Sequence, residues 1–303
     1  MAEVEALAEV RYASAAELPT AVAGADVLFM WDFLSSALVD AWPAARQLQW
    51  IHQAAAGVDK VLLPEVVASD VVVTNSRNVF DQAIAEYVLG LVLSFAKDFP
   101  RTLELQREHT WQHRDSEMIA GKQAVVVGVG PIGRATARLL RAAGLRVRGV
   151  GRTARTGDED FGDVLASSDL LQVLPGADYV VVAAPLTPAT RGMFDAAAFD
   201  AMQPTARFVN IGRGEIVVQD EMVEALVTER IAGAALDVFE EEPLPADSPL
   251  WEMPNVVVSP HMSADFIGWL DVLADVFVDN FTRWHAGQSL RNVVDKQLGY
   301  VAS

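Results

Sequence analysis

The chain of 303 residues has no cysteine, so it forms no disulfide and offers no thiolate nucleophile or thiolate metal ligand. A chain of this length can bury a core without such staples. Lysine is scarce, occurring only at positions 60, 97, 122 and 296, and Lys and Arg together number 23 against 41 Asp and Glu. The resulting net charge of −18 disfavours nucleic acid as a partner, because phosphate contacts need cations. The excess acid reads as a solvated surface, with adaptation to high salt as the alternative. No charge-free apolar run reaches the roughly 18 residues of a membrane span. The acidic start, Met1-Ala2-Glu3-Val4-Glu5, lacks the basic region of a secretory signal, so the expected location is the cytoplasm, with no membrane partner.

What the chain does have is alternation. Short apolar runs at 26–30, 50–53 and 71–73 read as strands, with helix-like stretches at 35–42 and 61–67 between them. A long apolar segment at 79–98 repeats Ile84, Val88, Leu91, Val92 and Phe95 at helical spacing, and Pro100 ends or interrupts it. Residues 98–118 are polar and read as a connector. From Gly121-Lys122 the alternation resumes, with strands at 124–127, 145–150, 179–183, 207–211, 233–237 and 256–258. Helices are expected at 131–143, 163–173, 194–202 and 219–229, with a last long one at 266–285. Such βα alternation marks a doubly wound parallel sheet. The expected fold class is α/β: two Rossmann-like or flavodoxin-like domains with parallel sheets and an interdomain cleft. The apolar tail after Gly287 can return to the first domain. The boundaries are therefore placed at 1–97 plus 266–303 for a substrate-binding domain and 98–265 for a dinucleotide-binding domain.

The strand at 124–127 runs into Gly128-Val129-Gly130-Pro131-Ile132-Gly133 and then a helix. In that context the glycines carry separate tasks. Gly128 makes the tight turn, Gly130 admits a pyrophosphate to the backbone, and Gly133 lets helix and strand pack closely. The helix start, with Pro131 and Ile132, presents N–H groups and partial positive charge to phosphate. The next strand ends in Gly151-Arg152-Thr153-Ala154-Arg155, and no acid follows until Asp158. Arg152, Thr153 and Arg155 suit a ribose 2′-phosphate, whereas NAD users place an acid there. NADP(H) is therefore favoured over NAD(H), the alternative being that both arginines are surface residues and either cofactor binds.

Three chemically pointed residues follow later strands: Arg213, Glu242 and His261. Residues after parallel strands collect along one sheet edge, so a cation, a carboxylate and an acid–base group can meet there. His109 and His113 stand at i, i+4, but without an acidic or Cys partner at suitable spacing they read as a polar helix face, and no metal is expected.

Asn210-Ile211-Gly212-Arg213-Gly214, Leu236-Asp237-Val238-Phe239-Glu240-Glu241-Glu242-Pro243-Leu244 and Ser259-Pro260-His261 resemble the D-isomer-specific 2-hydroxyacid dehydrogenases. So do Ala55-Ala56-Gly57-Val58-Asp59, Thr74-Asn75-Ser76, Ala85-Glu86 and Pro185-Leu186-Thr187-Pro188-Ala189-Thr190. The likeness runs from about Trp50 to the C-terminus and is nearest to the NADPH-preferring glyoxylate and hydroxypyruvate reductase branch.

The resemblance implies hydride transfer between nicotinamide and a small 2-oxo or 2-hydroxy acid. His261 would be the acid–base residue, and Glu242, selected by its place before Pro243, would hold the other ring nitrogen. Arg213 would bind the substrate carboxylate and polarise the carbonyl, a fork geometry that Lys cannot copy. Ala56 and Gly57 would offer backbone N–H groups to that carboxylate. Pro185, Thr190, Ile211 and Asp237 would line the cofactor, and a homodimer is implied. Two departures stand out: Ser76-Arg77-Asn78 replaces a turn glycine, where Asn tolerates positive φ, and Met262 replaces a small residue after the His. The alternatives are a related dehydrogenase of another small substrate, such as formate or a phosphonate, and a nucleotide-sensing regulator or corepressor on the same fold.

Overall fold

The computed structural model describes residues 1–302 and divides into two compact α/β units: Met1–Val79 together with the chain from Phe266 onward, and Phe80–Asp265.

The first unit holds three parallel strands, β1 (Val27–Met30), β2 (Trp50–Gln53) and β3 (Val72–Asn75), in that order. The central strand β2 is buried along its whole length, as a parallel strand covered on both faces must be. One face packs on Leu38, Val61 and Val66, all with no exposed surface. On the other, Trp50 and Phe29 stack on Phe277 at centroid distances of 5.4 and 4.0 Å. Phe277 belongs to the helix Trp269–His285, so the C-terminal segment completes this core. The tail then adds an antiparallel bridge, Thr74 with Val293, beside β3.

The second unit is built on an eight-stranded sheet: β4 (Gln123–Val127), β5 (Arg146–Gly151), β6 (Arg155–Asp158), β7 (Gly162–Ala166), β8 (Tyr179–Val182), β9 (Arg207–Asn210), β10 (Gly233–Leu236) and β11 (Val256–Val258). The strand order is β11-β10-β9-β8-β4-β5-β7-β6, and every pairing is parallel except β6 with β7. The chain starts at β4 and winds outward first to one side and then to the other. The order therefore reverses between β4 and β8, where open α/β sheets hold their ligands. Strands β8 and β10 are buried at every position, and Phe194, Phe199 and Phe208 cluster beneath them.

Three expectations need correction. The expected boundary at 97/98 lies at 79/80, because the helix Asp81–Ala96 turns Ile84, Ala85, Val88, Leu91 and Val92 into the second unit. The stretch 163–173 is not one helix: residues 162–166 form β7, paired with β6 as a polar edge hairpin, and only Leu170–Val173 is α-helical. The connector opens with a helix, Phe99–Arg107, whose first turn accommodates Pro100 because an N-terminal N–H is unpaired there anyway. That helix ends before His109, so His109 and His113 share no helix face.

Candidate active site

The turn after β4 explains its glycines through sterics. Gly128 has φ +109°, and a Cβ on it would meet the backbone of Ala183 and Ala184 at 2.5 Å. A Cβ on Gly133 would sit 1.8 Å from the Gly128 carbonyl oxygen, so the helix Pro131–Ala142 can start only because both residues lack one. Gly130 differs: its φ is −76° and an added Cβ would meet nothing within 4 Å. The chain itself does not require glycine at 130, so the open space above it is a cradle that a side chain would fill. Below it, the first-turn N–H groups of the helix face outward.

Beyond β5, Arg152 and Thr153 are exposed. Arg155 directs Nε and Nη2 to Asp158 Oδ2 at 2.9 and 2.8 Å. Arg134, on the helix after the glycine turn, clamps the same carboxylate with both terminal nitrogens at 3.0 and 2.8 Å and reaches Asp160 at 2.8 Å. The Arg134 hydrogen bond, against the opposing effect of burial and with help from Arg155, holds Asp158 well below the usual carboxylate range. The first acid after β5 is thus neutralised by two guanidinium groups.

Pro185 and Thr190 form a compact turn after β8. The Thr190 hydroxyl donates to the Pro185 carbonyl at 2.7 Å and accepts the Thr187 N–H at 2.8 Å. Ile211, 7% exposed, continues β9 by donating its N–H to Val182 O at 3.2 Å.

Arg213 follows β9 in extended conformation. Its carbonyl accepts from Asn210 Nδ2 at 3.0 Å, while Asn210 Oδ1 accepts the Gly212 N–H at 3.1 Å, so the Asn210 amide shapes the loop. The guanidinium donates through Nη1 to Gly212 O at 2.8 Å. Glu242 lies after β10. Its Oε1 accepts the Phe239 N–H at 3.0 Å, and its Oε2 faces His261 Nδ1 at 2.7 Å. Burial pushes the Glu242 carboxyl up. The His261 hydrogen bond and charge, the Phe239 N–H and the Arg213 charge outweigh it, leaving the group below its ordinary value. The three residues singled out by their place after β9, β10 and β11 are therefore brought together.

His261 itself sits at φ +53°, a left-handed conformation that a side chain adopts at a cost. Asp237 holds it there. The Asp237 carbonyl accepts the His261 N–H at 2.8 Å. Its carboxylate, on a residue 1% exposed, accepts from Ser259 Oγ at 2.7 Å and from the N–H groups of Met262 and Ser263 at 2.9 Å each. Asp237 thus clamps the loop that carries the imidazole, a task that no short-range sequence signal reveals. Tyr87, on the helix Asp81–Ala96, lies near Ser259 and Asp237. Burial raises its phenol, opposed by Ser259 and reinforced by the Asp237 charge. Asp265 is likewise raised, by burial and by Asp237, with His261 opposing.

On the first unit, Ala56 and Gly57 lie in the loop after β2, both partly exposed. The turn that lacks the usual glycine is closed by Asn78 at φ +73°, as the tolerance of Asn for this region allows. Among the described residues no helix is long and apolar enough to cross a membrane.

Comparison with known proteins gives this arrangement a lineage. The glyoxylate reductase/hydroxypyruvate reductase of Homo sapiens is 32% identical over 259 residues, covering 82% of this chain and 78% of its own. The glyoxylate reductase of Korarchaeum cryptofilum is 30% identical over 280 residues, covering 88% and 83%. Among solved structures, a D-isomer specific 2-hydroxyacid dehydrogenase family protein from Aeromonas salmonicida superposes with TM-score 0.82 at 32% identity, over 95% of this chain and 90% of that one. The NADPH-dependent glyoxylate/hydroxypyruvate reductase of Sinorhizobium meliloti, in complex with NADP and sulfate, gives 0.80 at 31%, over 91% and 87%. The family pattern for the D-isomer specific 2-hydroxyacid dehydrogenase NAD-binding domain matches residues 89–263, which contain the glycine turn and all of Arg213, Glu242 and His261, and the chain belongs to this family of oxidoreductases.

Proposed function

We propose that the protein is an NADPH-dependent reductase of small 2-oxo acids, of the glyoxylate and hydroxypyruvate type, yielding D-2-hydroxy acids. The observation that carries this reading is the 2.7 Å contact of His261 Nδ1 with Glu242 Oε2 beside Arg213, on loops after successive strands. A bound nicotinamide cofactor would supply the hydride to the carbonyl carbon. The chain supplies the rest. Nδ1–H donates to Glu242, which leaves Nε2 to carry the proton that the carbonyl oxygen takes up; in the reverse direction Nε2 receives it. Arg213 brings a fixed positive charge to the substrate carboxylate and to the oxygen that becomes negative as the carbonyl is reduced. The N–H groups of Ala56 and Gly57 offer a second anchor for the carboxylate.

Three features support the cofactor reading. The cradle above Gly130 suits a pyrophosphate at the helix start. Arg152 and Thr153 stand where a ribose 2′-phosphate is read, and Asp158, paired with Arg134 and Arg155, adds little repulsion there. The related structures from Sinorhizobium meliloti and Xanthobacter autotrophicus were obtained with NADP and NADPH. Pro185 and Ile211 are proposed as apolar cofactor contacts, with Thr190 shaping the turn and Asp237 acting through the His261 loop. The test is an initial-rate screen of glyoxylate, hydroxypyruvate and longer 2-oxo acids with NADPH and NADH. Turnover preferring NADPH is expected; no turnover with any 2-oxo acid refutes the reading.

A further inference from the structure

We propose that Arg134 is a specificity-determining residue for NADPH over NADH, because it binds the Asp158 carboxylate that would otherwise oppose the ribose 2′-phosphate. The proposal rests on the cofactor reading given above, in which the 2′-phosphate lies beyond β5. Between Glu117 and Asp158 the sequence holds no acid, so Asp158 is the first carboxylate the chain offers after that strand. Its side chain is 4% exposed. Oδ1 accepts from Arg134 Nη1 at 3.0 Å and from the N–H groups of Asp160 and Phe161 at 3.1 and 3.3 Å. Oδ2 accepts from Arg134 Nη2 at 2.8 Å and from Arg155 Nε at 2.9 Å. A carboxylate offers about four lone-pair sites, so none is left for the ribose hydroxyls that an NAD-type acid would hold.

Charge sets the sign of the effect. Arg134, Arg138 and Arg155 hold the two carboxylates of Asp158 and Asp160, which leaves the cluster one positive charge. Arg134 is the fourth residue of the helix that starts beside Gly130. The end of β5 lies against the glycine turn: a Cβ on Gly149 or Gly151 would meet the Val129 side chain at 2.9 or 2.8 Å. The cluster therefore borders the place where the ribose is read. Taking Arg134 away would leave the cluster neutral, with Asp158 opposing the 2′-phosphate. Taking Asp158 away as well would restore the positive charge. NADH, which has no 2′-phosphate, should sense both changes far less. The hairpin that carries Asp158 keeps other anchors. Arg138 Nη1 reaches both Asp160 oxygens at 3.1 Å, and Arg141 Nη1 donates to the Asp160 carbonyl at 2.7 Å. The Phe161 ring, 3% exposed, lies over Gly149, and β7 pairs with β5.

Arg134→Gln, Asp158→Asn and the double variant test this by fluorescence titration with NADPH and NADH. Arg134→Gln is expected to raise the dissociation constant of NADPH about fivefold, the size of one exposed charge effect, and that of NADH by less than about twofold. Adding Asp158→Asn should return NADPH affinity to within about twofold of wild type. In about 1 M salt, where the screening length is about 3 Å, the gap between Arg134→Gln and the double variant should close. Asp158→Asn alone should bind NADPH at least as tightly as wild type, and this arm decides the matter should Arg134→Gln not fold. Equal losses of NADPH and NADH affinity in Arg134→Gln, no recovery in the double variant, or weaker NADPH binding by Asp158→Asn overturns the role of Arg134 and leaves the NADPH reading standing. A wild-type protein that binds NADH as tightly as NADPH sinks the cofactor reading and this inference together.

Discussion

Replacing Glu242 by glutamine probes the site where its geometry is tightest. The carboxylate faces two donors: the Phe239 N–H at Oε1, 3.0 Å, and His261 Nδ1 at Oε2, 2.7 Å. A glutamine has one carbonyl oxygen and one NH2 group, so it can satisfy one of the two donors and must turn its own N–H groups toward the other. If the oxygen faces the imidazole, a neutral bond replaces a charge-assisted one. If the NH2 does, the ring loses its acceptor. The charge-assisted bond is worth about 1.5–3 kcal/mol against about 0.5–1.5 for a neutral one, so the expected loss is on the order of 1–2 kcal/mol. At about 1.4 kcal/mol per decade, kcat/KM should fall roughly five- to thirtyfold. The loss should appear in both directions of the reaction, because the imidazolium is the reactant form in reduction and the product form in oxidation. NADPH affinity, measured by fluorescence titration, should not change. A Glu242→Gln enzyme within twofold of wild type in both directions would refute the assignment of Glu242 to the imidazole.

Other expectations follow from single features of the structure. Arg152→Ala should raise KM for NADPH about tenfold or more and hardly alter NADH, by steady-state kinetics; equal effects would remove Arg152 from the 2′-phosphate. Gly133→Ala places a methyl group 1.8 Å from a backbone oxygen, so about 1–3 kcal/mol of stability and most NADPH affinity should be lost, as read by denaturant unfolding and titration. His52 is fully buried, and burial takes its pKa from 6.5 to about 3. The unfolded chain then binds a proton that the folded one refuses. The stability contribution is complete above pH 6.5 and declines as pH falls toward 3, by about 1.4 kcal/mol per pH unit. His52→Gln should remove that slope from a pH series of unfolding curves, and parallel curves for the two proteins would contradict it.

The legible part of the molecule was the part governed by short-range pattern. Strands β8 and β10 are apolar runs because both faces of a central parallel strand are covered, and the glycine turn announces itself by its spacing. Arg213, Glu242 and His261 were legible as residues after strands, since strand direction alone collects them on one edge. The β6–β7 hairpin escaped because an edge hairpin of Arg155, Thr156, Gly157 and Asp158 buries little and shows no apolar alternation. The helix Asp81–Ala96 was evident, but its apolar stripe does not say which unit it packs on. Asp237 holds the His261 loop by reaching residues 22–26 positions away, and no local signal encodes such pairings.

The central claim is that His261 Nε2 exchanges a proton with the substrate oxygen. Its most direct test is the single-turnover rate of NADPH oxidation with glyoxylate by His261→Ala against wild type. The expected result is a fall of about 10²–10⁴-fold with NADPH still bound, the contribution of a positioned acid–base group. A variant that turns over at the wild-type rate would contradict the account.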